Sequence, residues 1–339
     1  MISKTESAIL LAQLIHLRKE AVMGLFLQFI LLVVGFVMLI KGADWFVEGA
    51  SKIASKFGIP QIVIGLTIVA MGTSAPEAAV SITAALKGSA EITIGNVVGS
   101  NILNVLLILG ITSVIIPLSV KKNTLNIEIP FVIIITAILA FLGLKDGTVS
   151  RLDGIILWLM FIAFLVYLFI LSKKGIDTDA DDVPELEEGD TVFKMLLLIV
   201  VGGALIILGS DVTVDAATAI ARSFGWSERL IGLTIVAFGT SLPELITSVT
   251  AGIKGKSDIA VGNIVGSNIF NILFVVGTTA VITPVVYASG FKMDSIVCII
   301  SALILFVSII LEKEKKLTNK GGIVMLISFG AYFMYLLRG

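Results

Sequence analysis

Two short stretches hold the residue types best suited to chemistry. Gly-Thr-Ser-Ala-Pro-Glu runs from Gly72 to Glu77, and Gly-Thr-Ser-Leu-Pro-Glu runs from Gly239 to Glu244. Each lies within an apolar stretch long enough to cross a bilayer, where an ionisable acid is costly and marks function by default. Pro76 and Pro243 each remove a backbone donor, and Gly72 and Gly239 weaken the helix further. Carbonyls near Ala70 to Thr73 and near Ala237 to Thr240 are therefore expected to be released from helical bonding. Such groups survive at membrane depth only where protein or a hydrated cavity receives them. Carbonyl oxygens beside a carboxylate suit a hard cation. If Glu77 and Glu244 face one another without a cation, they repel and one holds a proton. A divalent cation between them balances the charge. Ca2+ takes six to eight oxygens, and two bidentate glutamates plus the Thr73 and Thr240 carbonyls would supply about six.

A polar stripe follows each motif. Asn96, Ser100 and Asn104 recur at i, i+4 and i+8, as do Asn263, Ser267 and Asn271, which places each set on one helical face. Neutral amides and hydroxyls add oxygens without charge, which suits Na+ beside the glutamates. Helix packing is the competing reading. Gly95 with Gly99 and Gly262 with Gly266 form GxxxG patterns, and Ser and Asn also bond between membrane helices. Packing fits the glycines better, and ligation fits Ser100, Asn104, Ser267 and Asn271 better. Thr67 and Thr234 are expected to bond backbone, and Asp44 and Asp211 to sit at the membrane interface.

The elements that must carry these residues are membrane spans. Of 339 residues, 57% are hydrophobic and 14% charged, with a mean hydropathy of +1.08; soluble domains carry about 25% charged residues. A net charge of −1 gives no argument for nucleic acid. Cys298 is the only cysteine and His16 the only histidine, which excludes an intrachain disulfide and histidine- or cysteine-clustered metals. Apolar stretches fall at 25–41, 61–87, 92–118, 123–144, 152–172, 193–210, 228–253, 258–286, 294–311 and 321–337. This predicts an all-α integral membrane protein of ten helices, the second and seventh interrupted.

The halves are related. Residues 65–117 align without gaps to 232–284, with 31 of 53 positions identical, so the chain contains an internal duplication. Five spans per half make the second half enter the membrane in the opposite sense, an arrangement associated with secondary transporters. The predicted parts are an N-terminal extension (1–23), a first five-helix repeat (24–172), an acidic linker (173–192) and a second repeat (193–339). Loops after odd-numbered spans hold fourteen lysines, against seven basic residues after even-numbered spans. The positive-inside rule then makes the linker cytoplasmic and both ends of the ten-helix core extracellular, in a cell membrane. Asp177, Asp179, Asp181, Glu185 and Glu188 match a calcium-loop template in spacing, but Asp182 stands where that loop needs Gly, and a solvated acidic linker is the favoured reading. Residues 1–23 lack a small-residue cleavage site. They read as a short interfacial helix or as sequence ahead of an alternative start at Met23.

The paired motifs, "GTSAPE…GNVVGSNILN" and "GTSLPE…GNIVGSNIFN", resemble the sodium/calcium exchanger branch of the calcium/cation antiporter superfamily, over essentially the whole ten-span core. The resemblance implies that helices two, three, seven and eight hold the ions while the first and sixth slide across them as a tilted pair. It implies that Glu77 and Glu244 serve both Ca2+ and Na+. Carbonyls of Ala70, Thr73, Ala237 and Thr240 would complete the sites, with hydroxyls of Ser100 and Ser267 on sodium. Ser74 and Ser241 would add contacts, and Asn104 and Asn271 would line the centre. Some relatives, including potassium-dependent ones, carry Asp where this chain has Asn271, and proton-coupled relatives usually show a different first motif. The implied function is Na+/Ca2+ antiport by alternating access, with H+/Ca2+ antiport through the same glutamates as the alternative. The chain is expected to be no enzyme, to need no cofactor beyond its transported ions, and to need no obligatory protein partner.

Overall fold

The computed structural model describes residues 4–86, 90, 92–174, 189–225, 237–288 and 290–338. Twelve helices are described: α1 (Lys4–Phe57), α2 (Gln61–Thr73), α3 (Ala75–Leu86), α4 (Ile92–Ile115), α5 (Thr124–Asp146), α6 (Arg151–Lys173), α7 (Val192–Ser223), α8 (Ala237–Thr240), α9 (Leu242–Ile253), α10 (Ser257–Ile282), α11 (Phe291–Ile310) and α12 (Asn319–Arg338). Seven of them are long and apolar enough to cross a membrane, and α2 with α3, bent by 48° at Ser74, makes a broken eighth. The first half of the predicted seventh span, 228–236, lies outside the described residues, as do Thr234 and all five acids of the calcium-loop template.

Two spans differ from expectation. The apolar runs that end near 41 and 210 continue as helix to Phe57 and Ser223. Hydrophobic run length misses this because the continuation is amphipathic. Ala43, Phe46, Val47, Ala50, Ile53 and Ala54 are buried at helical spacing, while the charged Asp44, Glu48, Lys52 and Lys56 lie between them. Asp44 thus lies inside α1, paired with Lys254 at 2.6 Å, and Asp211 lies within α7. The backbone of α1 also extends without a break into the predicted N-terminal extension, to Lys4.

Helices α1 and α7 pack antiparallel through small residues. A Cβ on Gly42 would stand 2.8 Å from the Gly202 carbonyl, one on Gly35 3.0 Å from the Gly209 carbonyl, and one on Gly49 2.7 Å from the Met195 carbonyl. The glycines recur every seven residues, so one seam brings the two backbones together. The broken spans lie beneath this pair. Within α10, 94% of the apolar window is buried, and within α4 67%, against 11% in α1. Helices α4 and α10 are therefore the centre, and α1, α6 and α7 turn apolar side chains such as Val33, Phe169 and Val200 outward.

Two antiparallel ladders qualify the all-α expectation. Leu118 pairs with Leu317 and Ser119 with Lys316; Thr148 pairs with Val286 and Val149 with Val285. They tie the end of α4 to the start of α12 and the start of α6 to the end of α10.

Candidate ion-binding site

The two Gly-Thr-Ser-x-Pro-Glu stretches meet at the centre, each breaking its helix at the serine. Ser74 (φ −84°, ψ 9°) and Ser241 (φ −88°, ψ 5°) leave the helical region before the prolines restart it. Their hydroxyls cross between halves: Ser74 Oγ donates to Glu244 Oε1 at 2.7 Å, and Ser241 Oγ donates to Glu77 Oε1 at 3.4 Å. Both glutamates are fully buried. In each, the second oxygen, Oε2, has no hydrogen-bond partner. A buried carboxylate oxygen left without a donor is costly, and two of them at the meeting point of the halves form an acceptor pair. Thr240 stands beside Glu77, and Thr73 and Ser267 beside Glu244. Among the described residues no three His, Cys, Asp or Glu side chains gather. Any cation there takes its remaining ligands from neutral oxygens, the donor set of Na+ or Ca2+ rather than of a softer transition metal.

The released carbonyls are distributed differently from expectation. Ala70 O stays within the helical pattern, accepting from Ser74 N at 3.0 Å, and also takes Thr73 Oγ1 at 3.3 Å and Ser267 Oγ at 3.4 Å. The carbonyl that Pro243 orphans is that of Gly239, four residues back. It accepts from Ser210 Oγ of α7 at 2.8 Å. In the first half the position matching Ser210 is Ala43, which has no hydroxyl. Thr67 Oγ1 bonds Val63 O at 2.6 Å, as expected. Ala237 is described only in its backbone, as the start of α8.

The polar stripes split into two jobs. Asn96 Nδ2 donates to Glu77 O at 3.1 Å and to Ser81 Oγ at 2.9 Å; Asn263 Nδ2 donates to Glu244 O at 3.4 Å and to Ser248 Oγ at 2.9 Å. Each asparagine thus pins the helix that carries its own half's glutamate. Thr73 Oγ1 donates to Asn263 Oδ1 at 2.9 Å, tying the halves again. Ser100 and Ser267 are buried. Farther along, α4 and α10 join through amides. Asn101 Nδ2 donates to Asn268 O at 3.2 Å and Asn268 Nδ2 to Asn101 O at 3.3 Å. Asn104 Nδ2 donates to Asn268 Oδ1 at 3.0 Å, and Asn271 Nδ2 to Asn101 Oδ1 at 3.1 Å. The side-chain oxygens of Asn104 and Asn271 have no hydrogen-bond partner.

Asn101, Asn268, Ser81 and Ser248 escaped the sequence reading. The signal was present, since all four are unchanged between halves, but a straight i, i+4 helix puts Asn101 and Asn268 off the chosen face. In the structure the backbone widens to i→i+5 turns from Leu103 and from Asn271, a local change frequent at functional sites.

This geometry carries a prediction for Asn271→Asp. An ionised aspartate cannot donate to Asn101 Oδ1 and would place two acceptors in contact, so an added cation becomes the cheapest remedy. The expected result is altered ion selectivity, with a smaller effect on the thermal midpoint. Measured selectivity identical to wild type would remove Asn271 from the site.

The model of the family described as sodium/calcium exchanger protein matches residues 27–170 and 194–338. The Inner membrane protein YrbG of Escherichia coli is 40% identical over 289 residues, covering 81% of this chain and 87% of its own. The Sodium/calcium exchanger MaX1 of Methanosarcina acetivorans is 31% identical over 354 residues, covering 91% and 98%. Among solved structures, the sodium-calcium exchanger NCX_Mj superposes with a TM-score of 0.79 at 31% identity, covering 92% of this chain and 99% of that one. With a broken helix in each half, two buried glutamates cross-held by serines, and a family match over both halves, the conclusion is direct: this multi-pass helical membrane protein belongs to the sodium/calcium exchanger family of transporters.

Proposed function

We propose that the protein exchanges Na+ for Ca2+ across the cell membrane by alternating access, with the ions bound between Glu77 and Glu244. The observation that carries this reading is the pair of buried, unpartnered glutamate oxygens, one from each half. Four oxygens of two carboxylates offer the charge that Ca2+ requires, and Thr73, Thr240 and the Ala70 and Ala237 carbonyls stand close along the chain to supply neutral ligands. Ser74 and Ser241 orient the carboxylates, and Ser100, Ser267, Asn104 and Asn271 provide uncharged oxygens for Na+. Both ions are substrates, and the chemistry needs no cofactor.

The architecture we infer is ten transmembrane helices in two inverted five-helix repeats. The contacts that recur 167 residues apart support it: Asn101 and Asn268 reciprocate one another across that separation. Strands Leu118–Ser119 and Val285–Val286 likewise occupy matching places in the two ladders. The glycine seam holds α1 and α7 together backbone to backbone, which suits two helices that move as one pair against the buried ones. The lysine distribution supports a cytoplasmic position for the acidic linker.

The test uses purified protein in sodium-loaded vesicles diluted into sodium-free buffer, following 45Ca2+ entry. Uptake that vanishes when choline replaces internal sodium is the expected result. Uptake that follows an imposed pH gradient and ignores sodium would replace this reading with H+/Ca2+ antiport through the same glutamates. Three sodium ions against one calcium would move one net charge per turnover, so a membrane potential would change the rate. A rate unaffected by potential would exclude that stoichiometry.

A further inference from the structure

Helices α1 and α7 carry the same acid at the same place, and only one of the two is paired. Asp44 and Asp211 stand at the 167-residue offset of the repeat. Lys254, the residue that closes α9, reaches Asp44 twice: its Nζ lies 2.6 Å from Oδ1 and donates to the Asp44 carbonyl at 2.9 Å. Asp211 is exposed on α7 and pairs with no basic residue among the described ones. Lys87, which matches Lys254 in the repeat, lies outside the described residues. The packing differs in the same sense. Helix α1 lies along α9, whereas among the described residues α7 makes almost no contact with α3, the matching helix. Matching sequence offers both halves the same contacts, so the difference belongs to where the α1–α7 pair sits on the buried helices.

A second charged cluster travels with the pair and does not cross to the buried helices. Asp190, buried just ahead of α7, takes Lys52 Nζ at 3.2 Å on each carboxylate oxygen, Lys194 Nζ at 3.2 Å on Oδ1, and Lys56 Nζ at 3.1 Å on its carbonyl. These bonds join the end of α1 to the start of α7. At the repeat offset, Asp190, Lys52 and Lys56 match Met23, Ala219 and Ser223, which carry no charge, so this cluster has no duplicate. It makes α1 and α7 one body. Asp44–Lys254 instead runs from that body to α9, the helix that carries Glu244. A lysine at a helix C-terminus also meets the negative end of the helix dipole, which favours its position there. With 31% of Lys254 and 37% of Asp44 exposed, the pair has the strength of a partly screened surface pair. That strength biases one of two positions without trapping it.

Resting on the alternating-access reading, we propose that Asp44–Lys254 is an ionic latch. It holds the α1–α7 pair in the position seen in this structure and opens when the pair moves across the buried helices. The test measures distances in the full-length protein in nanodiscs, by electron–electron resonance between spin labels at Phe57→Cys on α1 and Ser119→Cys beside the ladder that ends α4. Both sites are exposed, and the native Cys298 is buried and takes no label. Lys254→Gln and Asp44→Asn are each expected to lower the ratio of the principal wild-type separation to the others by about two- to fivefold. Exchanging the charges, with Asp44→Lys and Lys254→Asp together, should restore it. Asp211→Asn removes the same charge from the same body without touching the latch, and should not lower the ratio. An unchanged distribution in Lys254→Gln, which carries the test if Asp44→Asn folds poorly, would overturn the proposal. So would a loss in Asp211→Asn equal to that in Asp44→Asn, or no recovery in the exchanged pair. The readout is a distance and not a flux, so the two readings fail separately. Distances that shift while 45Ca2+ uptake ignores sodium would fault the sodium coupling alone, and sodium-driven uptake with unmoved distances would overturn the latch alone.

Discussion

Glu77→Gln and Glu244→Gln are each expected to abolish calcium uptake while the thermal midpoint stays unchanged or rises slightly. The glutamine amide oxygen can still accept the hydrogen bond from Ser241 or Ser74, so the cross-links between the halves survive. What disappears is one of the two negative charges, together with the unpartnered Oε2 that would face a cation. Replacing that acceptor by an NH2 puts a donor where the divalent ion must sit. The expected loss is at least about 100-fold in calcium affinity, or roughly 3 kcal/mol. Measured by isothermal titration and by 45Ca2+ flux, either mutant retaining full activity would sink the shared-site reading. The fold itself should be indifferent or slightly more stable without calcium, since removing one of two mutually repelling buried acids relieves a cost.

The second large effect separates two glycines that look alike in sequence. Gly99 and Gly266 are the second glycines of the two GxxxG patterns, and the sequence reading treats both as packing residues. A Cβ on Gly266 would stand 2.7 Å from Ala70 Cβ and 2.8 Å from both Leu66 Cα and the Leu66 carbonyl; a Cβ on Gly99 meets nothing within 4 Å. Backbone on α2 cannot turn aside as a flexible side chain can, so Gly266→Val must push α10 away from α2. That movement carries Ser267 away from Ala70 and Asn263 away from Thr73. The expected result is destabilisation by about 1–3 kcal/mol and loss of transport even in the folded fraction. Gly99→Ala should leave both near wild type. Comparable behaviour of the two variants would mean that the close approach of α10 to α2 is not what Gly266 serves.

The difference between those glycines shows what an internal repeat conceals. Duplicated sequence presents Gly99 and Gly266, or Ala43 and Ser210, as matching positions, yet their surroundings are not duplicated in detail. Ser210 caps the carbonyl orphaned by Pro243, whereas Ala43 has no hydroxyl to offer the corresponding place. The calcium-loop spacing in the linker and the first half of the seventh span lie outside the described residues, and both remain expectations.

By itself the sequence determined the class of the molecule and the identity of its two central acids. Apolar length, the paired Pro-Glu breaks and a gap-free repeat are local properties, readable because a bilayer permits so few ways to hold a broken helix or a buried charge. Only the tertiary structure decided which oxygens face one another. Serines three residues before each glutamate serve the other half's acid, Asn101 and Asn268 join α4 to α10, and widened turns re-aim Asn104 and Asn271. Those partners are more than 160 residues apart in the chain, and their pairing depends on the rotation and depth of whole helices. Helix rotation is set by packing across the bundle, which no single segment encodes.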